Sequence, residues 1–126
     1  MKILLDTHTL VWALSNPAAL GAGARDALAG APFTASVANL WELVLKARKA
    51  GALVADPLRW WDKYVMTPHI PTLAIRIAHI RQLARLPELH KDPFDRILVA
   101  QALAEGLTLA TKDPLLGRYG APVIWE

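Results

Sequence analysis

The sequence predicts an α/β fold in which a central parallel sheet is covered by helices on both faces. Two observations predict it. Short apolar runs alternate with stretches of helical periodicity along the whole chain, and strands that alternate with helices pair in parallel. One helical stretch, from Asp95 to Ala104, is apolar nearly all round (Ile97, Leu98, Val99, Ala100, Ala102, Leu103), as a heavily buried helix is. With 126 residues, 54% of them hydrophobic, the chain is long enough for one domain with a substantial core and is not disordered.

The elements follow in order. KILL, residues 2–5, reads as a buried strand, and Asp6 follows it without a gap. A short turn or helix holds residues 9–14 and breaks at Asn16-Pro17. A helix over 17–28 ends at Gly30, and 33–36 is the second strand. The helix over 38–50 carries Val37, Leu40, Trp41 and Val44 at helical spacing and stops at Gly51. Asp56-Pro57 opens another helix, with Leu58, Trp61 and Val65 on one face. A short strand is expected over 70–73 and a helix over 73–86, charged by Arg76, Arg81 and Arg85. Asp92-Pro93 starts the nearly all-apolar helix, which Gly106 ends. A strand over 107–111, a short helix after Asp113-Pro114 and a last strand over 123–125 complete the chain. No linker, repeat or low-complexity segment divides it, so a single domain over 1–126 is expected.

Composition narrows the function classes. There is no Cys, hence no disulfide framework and no thiolate metal site. No signal-peptide pattern opens the chain, and no apolar stretch approaches the roughly 20 residues that span a bilayer. The expectation is a cytoplasmic protein without a membrane partner. GxGxxG and Walker loops are both missing. A net charge of +3 and a pI near 9.5 point mildly to an anionic partner such as nucleic acid.

The acids carry the chemistry. In open α/β sheets, ligands bind beyond the carboxyl ends of the strands. Asp6 ends the first strand and Asp113 follows a later one. Glu42 and Asp95 lie in the first turns of helices, whose starts face the same edge. Each has an ordinary reading. Asp56, Asp92 and Asp113 precede Pro, the usual order of a capped helix start. Asp95 would favour a helix N-terminus, and Glu42 would pair with Lys46 one turn on. Caps need not share one edge of a sheet, however, whereas metal ligands must. Two like charges about 4 Å apart repel by about 4 kcal/mol at an effective dielectric near 20, so such a cluster needs a cation. Oxygen donors without Cys or a His pair select Mg²⁺ or Mn²⁺. That donor set suggests phosphodiester chemistry. Of the four His, His8 alone is placed near the site, more as a local hydrogen-bonding residue than as a catalyst. Ser36 and Thr111, at strand ends, have hydroxyls that would orient a carboxylate or water, although strand-end Ser and Thr also form turns.

LLDTHTLVW, SVANLWEL, DPFDRILVAQA and LATKD, in that order, resemble the PIN-domain ribonucleases, and among them the VapC-type toxins of bacterial and archaeal toxin–antitoxin pairs. The resemblance covers nearly the whole chain, although nothing specific matches over residues 52–67. It implies a Rossmann-like α/β/α sandwich, cleavage of RNA with Mg²⁺ or Mn²⁺, a homodimer, and neutralisation by a small antitoxin. It also implies that Asp6, Glu42, Asp95 and Asp113 are the metal-binding acids, with Asp92 in the same DPFDR stretch. Trp60, Trp61 and Tyr64, in the unmatched segment, are read first as core. With the four ligands set aside, seven acids remain against 14 Lys and Arg, a basic surface that suits RNA. Lys46 and Arg96 are the nominated phosphate contacts, with solvated helix charge as their ordinary reading. The competing reading is a phospho-acceptor receiver domain, with Asp56 as acceptor and Lys112 as the late lysine. It leaves Glu42 and Asp95 without a role. A non-catalytic RNA-binding module would lack some of the acids, and none is missing.

Overall fold

The computed structural model describes residues 2–126. Its strands are β1 (Ile3–Leu5), β2 (Phe33–Ser36), β3 (Thr72–Leu73), β4 (Thr108–Ala110) and β5 (Val123–Ile124), all parallel, in the spatial order β3-β2-β1-β4-β5. The helices are α1 (Thr7–Ser15), α2 (Ala22–Gly30), α3 (Val37–Lys46), α4 (Pro57–Trp61), α5 (Ile77–Ala84) and α6 (Pro93–Glu105). Short 3-10 turns follow Asn16 and Asp113, and α4 runs on into a π turn over Asp62–Met66.

The centre of the sheet is dry on both faces. Ile3, Leu4 and Leu5 are fully buried, and successive strand side chains point to opposite sides. Leu4 packs with Ile97, Leu98 and Leu109 under α6. Ile3 and Leu5 pack with Leu10, Ala35, Trp61 and Val65 on the other face. That two-sided burial is why KILL shows no alternation. α6 buries residues all round its circumference and ends at Gly106, whose φ of 68° is the left-handed cap that glycine adopts freely.

Some elements differ from expectation for identifiable reasons. The helix expected over 17–28 is divided, because Leu20 is extended and the second part is tied down by Ala24 N–H on the Trp125 carbonyl. The helix expected over 73–86 begins only at Ile77: Thr72 and Leu73 pair with β2, and the His79 ring caps Arg76 N–H. In α3 the apolar repeat faces outward. Val37, Trp41 and Val44 are each more than 40% exposed, while Ala38, Asn39, Glu42 and Leu43 form the buried face. A helix that buries its glutamate and exposes its tryptophan is positioned by something other than core hydrophobicity. Of the unmatched aromatic segment, Trp61 is core and Trp60 packs partly against it, beside Tyr64.

The topology fixes where a ligand can enter. From β1 the chain steps outward through β2 to β3, then returns to β4 on the opposite side of β1. The connections leaving β1 and β4 therefore diverge at the carboxyl edge and open a crevice there. Among the described residues, no helix is long and apolar enough to cross a membrane.

Candidate functional site

The crevice is a cleft of about 530 Å³, and five carboxylates line it: Asp6, Glu42, Asp92, Asp95 and Asp113. Asp6 leaves β1 as the N-cap of α1, and its Oδ1 accepts Thr9 N–H at 2.9 Å. Asp113 leaves β4 in the same manner: Oδ1 accepts Leu115 N–H at 2.9 Å, and Oδ2 lies 2.9 Å from His90 Nε2. Asp92 caps α6, with Oδ1 accepting from Phe94 and Asp95, while Oδ2 lies 3.5 Å from Lys46 Nζ. Glu42, one turn into α3, accepts the Thr7 hydroxyl at 2.6 Å and Lys46 Nζ at 2.7 Å. Asp95, in the first turn of α6, caps nothing.

A buried polar network sets Glu42. Asn39 Oδ1 accepts Ser36 N–H, and its Nδ2 donates to the Leu5 carbonyl and to Thr7 Oγ1, which in turn donates to Glu42. Asn39 is fully buried. This network ties the end of β1 to α3 and explains why the polar face of α3 turns inward. Thr111, also buried, links two acids: its Oγ1 accepts Asp113 N–H, and its hydroxyl favours the charged form of Asp6.

The site holds more negative charge than its own cations neutralise. Burial pushes the Asp95 carboxyl up to about 7, and the charges of Asp92, Asp6 and Glu42 add to the shift, against a smaller opposing effect of His90. Burial also raises Asp6, although the Thr111 hydroxyl, the Thr9 N–H and His8 pull the other way. Burial alone would lower Lys46, but its bond to Glu42 and the charges of Glu42 and Asp92 outweigh that and raise it. A hard, multivalent cation would relieve this strain. The donors present, a cluster of carboxylate oxygens, fit such an ion. One polar side-chain atom from each of Asp95, Asp113 and His90 lies within 4.8 Å of the other two.

The four acids singled out in the sequence thus share one cleft, with Asp92 as a fifth. The other expectations divide. Lys46 lines the cleft but is already engaged by Glu42 and Asp92. Arg96 does not line it: Nη1 donates to the Pro87 carbonyl at 2.9 Å and to Tyr119 Oη at 3.3 Å, so it stands apart from the acids. Ser36 does not support a carboxylate either. Its hydroxyl caps α3 and donates to Gln101 at 2.6 Å, beneath the helices. Asp56 caps α4 on Arg59 N–H, outside the cleft, which removes the acidic pocket a receiver would need. His8 sits at the cleft rim, edge-on to Trp12. It is not the only histidine there, because His90 reaches Asp113. Sequence reasoning missed His90 and Asn39. The available signals were HKDPFD, with a ring donor two residues before the cap, and SVAN, a Ser-x-x-Asn capping box.

Comparison with known proteins accords with this geometry. The PIN domain family model matches residues 3–122. Ribonuclease VapC22 of Mycobacterium tuberculosis (strain ATCC 25618 / H37Rv) is 30% identical over 122 residues, which are 95% of this chain and 93% of that protein. Among solved structures, DNA-bound VapBC from Salmonella typhimurium superposes with a TM-score of 0.72 at 20% identity, over 98% of this chain and 97% of that one. VapBC-5 of Mycobacterium tuberculosis, a member of the VapBC family of toxin–antitoxin systems, gives 0.60 at 20% identity, over 98% and 95%. With nearly the whole length matched by the family model and by a relative of its own size, the chain belongs to the PIN domain family.

Proposed function

We propose that this protein is a metal-dependent endoribonuclease, working as one domain in the cytoplasm as the toxin of a toxin–antitoxin pair. The observation that carries the proposal is the crowding of Asp6, Glu42, Asp95 and Asp113 in one cleft at the switch point of the sheet. In this reading those four acids hold Mg²⁺ or Mn²⁺. Asp92 fixes the start of α6, and Thr111 keeps Asp6 and Asp113 in register. A bound dication supplies a Lewis acid for the phosphoryl oxygen and lowers the pKa of a water. The chain places the scissile phosphate by charge. Lys112 is exposed on the cleft wall, and Lys46 lies against its acids with 40% of its side chain exposed. The name of the VapC22 relative, a ribonuclease, supports RNA as substrate.

Two protein partners belong to the proposal. A second copy of the chain covers the apolar stripes left exposed on α3 (Val37, Trp41, Val44) and α5 (Ile77, Ile80). A small antitoxin is the other, in keeping with the toxin–antitoxin systems named among the structural neighbours. Light scattering should give a dimer, and Trp41→Lys with Ile77→Lys should give folded monomers. A wild-type monomer at all concentrations refutes the dimer.

The direct test of the activity uses purified protein and RNA. EDTA should abolish cleavage, and Mg²⁺ or Mn²⁺ should restore it. Undiminished cleavage in EDTA refutes the metal-dependent reading.

A further inference from the structure

His90 lies between two of the proposed ligands, and its hydrogen bonds define its role. A backbone N–H can only donate. Asp92 N–H reaches His90 Nδ1 at 3.0 Å, so Nδ1 is the accepting nitrogen and the ring hydrogen sits on Nε2. Nε2 lies 2.9 Å from Asp113 Oδ2 and 3.4 Å from Asp95 Oδ2, so this N–H is directed at the two carboxylates. The backbone of the residue is held as well, through its main-chain amide. His90 N–H donates to Tyr119 Oη at 2.7 Å, Tyr119 is buried, and Arg96 donates to the same oxygen. Arg96 is thus an outer brace of the His90 segment, which accounts for its orientation away from the cleft.

We propose that His90 is a positioning residue: a fixed Nε2–H donor that sets Asp113 Oδ2 beside Asp95 so that both face the metal, without itself being a ligand. This rests on the reading of Asp95 and Asp113 as metal ligands. A nitrogen ligand needs its lone pair toward the ion. Here the lone pair is on Nδ1 and is occupied by Asp92 N–H. Proximity to the acids alone would suggest a His–Asp–Asp metal triad, but in the metal-free protein it is the hydrogen on Nε2, not a lone pair, that is directed at the acids. Partners that orient ligating groups affect metal affinity by about 10–100-fold when removed.

The test measures Mn²⁺ binding by the whole chain, read by electron paramagnetic resonance of the free and bound ion. His90→Ala should weaken binding by about tenfold or more. His90→Gln, whose side-chain amide donates from a similar place, should stay within about threefold of wild type on the same scale. In an Asp113→Ala background, His90→Ala should have little further effect, because the residue acts through Asp113. Pulsed resonance of bound Mn²⁺ should show no directly coordinated nitrogen, and ¹⁵N spectra of the metal-free protein should place the His90 hydrogen on Nε2. Three results would each overturn the proposal: a coordinated nitrogen that disappears in His90→Ala, wild-type binding in folded His90→Ala, or equal losses in the Ala and Gln variants. If Asp113→Ala binds Mn²⁺ as wild type does, the ligand assignment itself fails, and the role of His90 with it.

Discussion

Replacing Asp95 by Asn should stabilise the metal-free protein, and the size of the gain can be worked out. The Asp95 carboxyl is pushed from 3.8 up to about 7, first by burial and then by Asp92, Asp6 and Glu42. At about 1.36 kcal/mol per pH unit, keeping it ionised in the folded state costs about 4 kcal/mol. Its side chain is only 22% exposed, so solvent screening removes little of this. Asn also gives up the attraction of a carboxylate for a helix start, about 0.3–1 kcal/mol. A net gain of roughly 3 kcal/mol above pH 7 remains. The sign follows from proton binding. Between about pH 4 and 7 the folded state keeps the Asp95 proton and the unfolded state has lost it, so wild-type stability falls as pH rises through this window. Asp95→Asn lacks that slope, and the difference between the two proteins grows from near zero below pH 4 to its full value above pH 7. Urea denaturation of both proteins in EDTA, from pH 4 to 8, measures it. Saturating Mg²⁺ at pH 8 should shrink or reverse the difference, because an ion bound only by the folded wild type adds about 2.7 kcal/mol at 100 times its Kd. A difference that stays flat across the pH range, or Asp95→Asn less stable at pH 8 in EDTA, would refute the reasoning.

Further predictions concern other positions. Asp92→Ala should cost about 0.5–2 kcal/mol of stability, the usual loss of a cap, and leave substantial RNA cleavage; denaturation and a cleavage assay check both. Gln101→Leu should cost about 1–3 kcal/mol, because the Ser36 hydroxyl and the Ala74 carbonyl lose their partner, with cleavage retained at temperatures where the variant is folded. His8→Gln should keep most activity, and a loss as deep as that of a proposed ligand would give His8 a catalytic role.

The strand–helix alternation, the burial of KILL and of the DPFDR helix, and the four separate acids were legible because each is a local pattern or a consequence of parallel topology. The orientation of α3 was not. Val37, Trp41 and Val44 have the spacing of a core face, and what turns them outward is Asn39, whose bonds to Leu5 and Thr7 cross 34 and 32 residues of chain. Periodicity carries no information about such partners. His90 was missed for the same reason: its link to Asp113 exists only once α6 and β4 are side by side. Arg96 lies away from the acids although it follows Asp95, because adjacency in sequence puts two side chains about 100° apart on a helix. The partner of Ser36, Gln101, was not legible because a strand-end hydroxyl can face the helix layer as readily as the cleft.

Capping and metal binding were set against each other at the sequence level, and the structure removes the conflict. A carboxylate has two oxygens. Asp6, Asp92 and Asp113 each give Oδ1 to a backbone N–H at a helix or turn start, and Oδ2 of Asp92 and of Asp113 faces another partner at the site. In a parallel sheet, the chain after a strand starts its helix at the carboxyl edge, so cap and crevice coincide. The cap locks the side chain, and the positive end of the helix offsets part of the repulsion among the acids. Two substitutions at one position separate the uses. Asn caps about as well as Asp, whereas Ala does not cap at all. Asp6→Asn should therefore keep Thr9 N–H satisfied, hold or raise the metal-free melting temperature by removing a buried charge, and lose cleavage by orders of magnitude. Asp6→Ala should lose cleavage equally and also lose the cap, about 0.5–2 kcal/mol. Thermal melts in EDTA and RNA cleavage on both variants decide the matter. If Asp6→Asn cleaves RNA as wild type does, Asp6 is a cap and nothing more. If Asp6→Asn melts as low as Asp6→Ala, Oδ1 is not the capping oxygen and the division of labour within the carboxylate is wrong.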